Sequence, residues 1–215
     1  IDYFFPAPPR AVLAIPCYMA AFARGAPLPD SSAQVADQQF QGVVQRSRSL
    51  TQKILLSIPD AHESCVHAEA LKLDSPQNAK LAVMASNIGI PSAPVLRVVS
   101  ESFSLEAVLR NVSEGLQLHR ALLRSVSPRL QNKDKVAALL ADIKDLIIQI
   151  NKMVKMANGE AAVQPSPSPV VLRLPGEYDV QVAAHLSLGQ LQSFGRDVLR
   201  CLRSLDRSGE EEAES

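Results

Sequence analysis

The residues whose types could do chemistry are few. In the segment "HESCVHAE", His62, Cys65 and His67 are metal-ligand types. The two histidines are five apart, which sets them about 140° apart on a helix. A helical zinc site uses the i, i+4 pair instead, and no second cluster completes four ligands. Neither a metal nor a cofactor is expected. Asp142 and Asp145, in "LLADIKDL", are a carboxylate pair. Three residues apart on a helix, they share a patch. If Ile143 marks the core direction, they lie about 100° and 160° to one side, from 3.6 residues per turn. With Gln149 they make an outward polar face, not a cleft. No Ser-His-Asp arrangement or glycine-rich phosphate loop appears, so an enzyme is not expected. His119 falls on an apolar face and reads as a satisfied core residue, and His185 reads as ordinary surface. Asn111-Val112-Ser113 is a glycosylation sequon, mid-helix and about 100° from the core direction.

Composition narrows the class. The chain has 215 residues, 47% of them hydrophobic, which suits one domain with a real core. Tryptophan is absent and aromatics are only 4%, so the core must be aliphatic. The formal net charge of zero removes the electrostatic case for a nucleic-acid binder. Residues 11–23, "AVLAIPCYMAAFA", follow Arg10 and precede the small residues Ala23 and Gly25. The run is too short to span a bilayer and has the length of a secretory hydrophobic region. The expectation is a secretory leader over 1–25, a helical domain over 26–207, and an acidic disordered tail over 208–215. No stable membrane insertion is expected. Loss of the leader would leave Cys65 and Cys201, which is no disulfide framework.

The elements that would position these residues are helices. Four apolar stripes recur at three- and four-residue spacing. They run from Phe40 through Val43, Ser47, Leu50 and Ile54 to Ile58; from Leu105 through Val112 and Leu116 to Val126; from Val136 through Ile143 and Ile150 to Val154; and from Ala184 through Leu191 to Leu205. Pro59 is expected to stop the first helix, and Pro128 the second. Asn132 is expected to cap the third and Asn158-Gly159 to end it.

Only Ser127–Asn132 separates the second and third helices, which makes them antiparallel neighbours. The gaps Pro59–Ser100 and Asn158–Tyr178 are long. A helix of about 25 residues is roughly 37 Å long, and a link of roughly twenty residues reaches about 70 Å when extended. The second gap therefore suffices to run back along the bundle. The expected fold is an all-α four-helix bundle, up-up-down-down, with two long crossover loops and a short helix over Gln77–Asn87 in the first. The segment "SNIGIPSAPVL" would pack on the bundle through Ile88, Ile90, Val95 and Leu96, with Pro91 and Pro94 stiffening it.

"IGIPSAPVL", "VSEGLQLHRALL" and "HLSLGQLQSFGRDVLRCLRSL" resemble segments of the granulocyte colony-stimulating factor family, in its fish or other non-mammalian branch. The resemblance covers roughly 35–205. It implies a secreted growth factor, monomeric before it engages a cytokine receptor ectodomain, that dimerises the receptor and drives production of granulocytes and other myeloid cells. It implies receptor contacts at Asp142, Asp145 and Gln149 on the third helix, and at Gln45, Arg46 and Arg48 on the first. A weaker contact is implied at Gln77 and Asn78. Mammalian members carry an acidic residue near Arg48, so the first-helix face departs from theirs. They also carry two disulfides. Here Cys65 lacks a partner near Leu73–Asp74, and Val98 and Val108 stand in for the second pair. Cys65 and Cys201 would sit near opposite ends of the bundle, well beyond the ~7 Å a disulfide allows, and are expected as free thiols. Two further readings share the pattern: another long-chain cytokine of the interleukin kind, and an exchangeable lipid-binding helical protein.

Overall fold

The computed structural model describes residues 31–92, 96, 104–158 and 170–213. Among them the regular structure is helical: α1 Ser31–Cys65, α2 Ala82–Ile88, α3 Leu105–Val126, α4 Asp134–Asn158 and α5 Glu177–Ala213. Short 3-10 turns at Pro76–Leu81 and Ser127–Arg129 lead into α2 and out of α3. The segment expected as a leader lies outside the described residues. α5 continues to Ala213 and takes in most of the acidic run expected as a tail.

The four stripes are the core. Val43, Ile54 and Ile58 of α1 are buried with Leu109, Leu116 and Leu123 of α3. Leu139, Ile143, Leu146 and Ile150 of α4 and Leu188, Leu191, Val198 and Leu202 of α5 are buried in the same core. Truncating one of these to alanine costs about 2–5 kcal/mol, because a cavity remains where the side chain was. α1 and α3 each pack on both α4 and α5. Lys53 bonds Asp142 and Lys135 bonds Asp60, so α1 and α4 run in opposite senses. Gln45 reaches Asp206 while His62 reaches His185, so α1 and α5 do as well. Ser113 of α3 bonds Asn151 of α4 across the short link's hairpin. The arrangement is compatible with a helical bundle.

Local chemistry explains several boundaries. The Ser104 side chain accepts the Ala107 N–H at 3.2 Å and caps α3, with Glu106 in the first turn and Arg124 in the last. α2 ends on Gly89 at φ 89°, where the Gly89 and Ile90 N–H groups both bond the Ala85 carbonyl. Ile88 and Ile90 are buried, Leu96 is half-buried, and the Ile88 carbonyl accepts the Arg173 N–H at 2.8 Å. The apolar segment is thus pinned to the core and to the second connection. Pro94, Val95 and Val98 lie outside the described residues.

Two expected boundaries are corrected. α1 does not stop at Pro59 but continues six residues to Cys65. Proline removes one N–H from the ladder, but the burial of Ala61, His62 and Cys65 beyond it keeps that last stretch packed. α4 begins at Asp134, with the Ala137 N–H on the Lys133 carbonyl, so Asn132 stands outside the helix.

Candidate functional site

The α1–α4 seam collects four of the eight expected contact residues. Asp142 sits against α1 with its side chain only 13% exposed, accepting from Lys53 Nζ at 2.6 Å. Two turns along the seam, Lys135 Nζ donates to Asp60 at 3.3 Å. Between the two ion pairs lies a groove of about 610 Å³, floored by Leu139 and Ala138 and rimmed by Gln52, Lys53 and Leu56. Leu56 is 79% exposed. Surface pairs of this kind contribute roughly 0–1 kcal/mol each, so they orient the seam more than they hold it.

Antiparallel packing extends the same surface. Gln149 follows Asp142 by two helical turns and Arg46 precedes Lys53 by two, which sets them at one level. Asp145 is exposed, and Gln149 is half-buried with its Oε1 lacking a hydrogen-bond partner. Arg46 is exposed and donates only to the Gly42 carbonyl of its own helix, at 3.2 Å. The α4 trio and Arg46 therefore share one seam, though Asp142 is engaged by α1 and does not simply face solvent.

Gln45 and Arg48 go elsewhere. Gln45 Nε2 donates to Asp206 Oδ1 at 2.6 Å, and Arg48 forms an ion pair with Asp206 Oδ2. Residues 46 and 48 are about 200° apart around the helix, so adjacent packing partners separate them. Gln77 and Asn78 fall in the 3-10 turn at Pro76–Leu81. Asn111 is exposed on α3, whereas Ser113 of the same sequon is buried. Its Oγ donates to Asn151 Oδ1 at 2.6 Å and accepts from Gln117 Nε2 at 3.2 Å.

The histidines differ most from expectation. His185 is not surface: it is 1% exposed, and its Nδ1 lies 2.9 Å from His62 Nε2. Its position three residues before Leu188, on the apolar stripe of α5, was the available signal. Burial, and then the neighbouring His185 ring, lowers His62 to about 4; burial lowers His185 too. His119 is buried in the core as expected but is not satisfied. Both ring nitrogens lack hydrogen-bond partners, Phe194 lies 5.0 Å away between ring centres, and burial lowers the ring to about 4. His67 is exposed and is not brought to His62 as a ligand; its backbone N–H goes to Gln181. Among the described residues no group of three or more His, Cys, Asp or Glu side chains could hold a metal. Cys65 and Cys201 are free thiols, and burial raises Cys65 to about 11. No described helix is long and apolar enough to cross a membrane. A scan of protein-family models and a search of curated proteins return no match to this chain.

Proposed function

We propose that the chain is a secreted four-helix cytokine of the granulocyte colony-stimulating factor type, and that its α1–α4 seam binds a cytokine receptor ectodomain. The proposed topology is up-up-down-down. It is supported by the opposed senses of α1 against α4 and α5, and by the short link between α3 and α4. Such a topology needs two long connections that cross the bundle.

One observation carries the receptor reading. Asp142, Asp145 and Gln149 of α4 and Arg46 of α1, far from them in sequence, share one seam beside an exposed leucine and a groove. An apolar side chain ringed by charges is the composition of an interface anchor: the leucine supplies buried area, and the charges set register and partner choice. In this reading the ion pairs orient the seam's side chains before the partner arrives, which lowers the ordering left for binding. A second face of the same rigid bundle engages a second receptor chain, and the joined pair signals.

The test is binding of the secreted chain to the granulocyte colony-stimulating factor receptor ectodomain of the same species, with interleukin-type receptors alongside. Leu56→Ala combined with Asp145→Ala removes two exposed groups and leaves the core intact. We expect at least tenfold weaker binding with unchanged helix content. Equal affinity of variant and parent would take the seam out of the interface. Selective binding to an interleukin-type receptor instead would move the chain to that branch of long-chain cytokines.

A further inference from the structure

The end of α1 is held to the first turns of α5 by a small set of side-chain bonds. His62 Nε2 and His185 Nδ1 lie 2.9 Å apart, one ring donating and the other accepting, with the rings edge-on at 66°. One turn later, Gln181 Oε1 accepts the His67 and Ala68 backbone N–H groups at 3.0 and 2.9 Å. His62 is 8% exposed at the floor of an open depression of about 330 Å³, so protons reach the pair from solvent. Glu63, His67, Glu69 and Lys72 rim that depression, and all are exposed to water, which screens them. On α4, Lys135 is taken by Asp60. On α5 Asp179 is taken by the Gly176 N–H.

We propose that His62 and His185 form an acid-opened latch, in which proton uptake by both rings releases the C-terminal end of α1 from the N-terminal turns of α5. The geometry requires one lone pair at the contact. A single proton leaves a donor and an acceptor; a second places two N–H donors and two positive charges face to face in a buried site. The opening is local, because the contacts between Gln45, Arg48 and Asp206 hold the opposite end of the same helix pair. It stands whether or not the α1–α4 seam binds a receptor. For a ligand carried into an acidic compartment, it would loosen one end of the bundle while leaving the chain folded.

Cys65, 4% exposed and one turn beyond His62, reports on the latch; Cys201, toward the other end of α5, is the internal control. The experiment labels the full chain with 4,4′-dithiodipyridine, which reacts with thiols in acid, in a Cys17→Ser background. A ring that titrates near 6.5 when released and near 4 when latched favours opening roughly thirtyfold more at pH 5 than at pH 7.5. That factor comes from one ring alone, so we expect the Cys65 rate to rise by at least as much relative to Cys201. In His62→Gln with His185→Gln, which keeps a donor and an acceptor but does not titrate, the rise disappears. A parallel rise at both thiols, no rise at Cys65, or the same rise in the glutamine variant overturns the latch. Proton NMR titration of the parent's histidines tests it without any substitution: both latch rings titrating near pH 6.5 in the folded chain overturns it.

Discussion

Replacing His119 with leucine should stabilise this protein, and more so in acid. His119 is fully buried against Phe194 with neither ring nitrogen bonded. Burying a polar group without a partner costs about 1–3 kcal/mol, and leucine is close in size without that cost. The acid increment has a definite sign. The unfolded ring titrates near 6.5 and the folded ring near 4, so the unfolded chain takes up the proton first. The stability this group supports is fully present above pH 6.5 and is lost as the pH falls toward 4. Over that whole span the loss is about 3 kcal/mol, and by pH 5 it is about 2 kcal/mol. Both figures are large beside a typical folding stability of roughly 5–15 kcal/mol. Urea unfolding of parent and His119→Leu at pH 7.4 and pH 5 reads the difference directly. His62 and His185 are present in both proteins, so their own acid losses cancel. The expected result is a variant about 1–2 kcal/mol more stable at pH 7.4, with the gap widening by about 2 kcal/mol at pH 5. A gap that does not widen would refute the burial argument, whatever its size at neutral pH.

Gly115→Ala should lower stability by about 1–3 kcal/mol in the same urea assay, despite alanine's helix preference of about 1 kcal/mol over glycine. A Cβ there would stand 2.6 Å from Phe194 Cε2, so the ring must move. Phe194→Leu in the same chain should recover part of the loss, and no recovery would place the strain elsewhere. Pro59→Ala should raise Tm, with a gain of about 1–2 kcal/mol. The site is exposed within α1, where the missing N–H costs up to about 3 kcal/mol and the proline's restriction of the unfolded chain returns about 1 kcal/mol. An unchanged or lower Tm would show that the proline's own backbone geometry suits the packing.

The sequence by itself determined which faces of the long helices are buried. The stripes through Val43 and Ile58, Leu109 and Leu123, Ile143 and Ile150, and Leu188 and Leu202 are all core, because a 3.6-residue period projects them onto one side whatever lies opposite. It also determined the short helix before Gly89 and the burial of Ile88 and Ile90 in the connection that follows, since Pro, Gly and apolar clusters act locally. The tertiary structure alone decided what each polar residue meets. Arg46 and Arg48 are near neighbours in sequence, yet one lies toward the α4 seam and the other is claimed by Asp206 of α5. Asp142 turns inward because Lys53 waits on α1. α1 runs through Pro59 because residues beyond it have a core to enter, and the group that His185 meets in the core is the His62 ring. Each of these depends on a pairing across many tens of residues, and helical periodicity carries the direction of a side chain but not the identity of its neighbour.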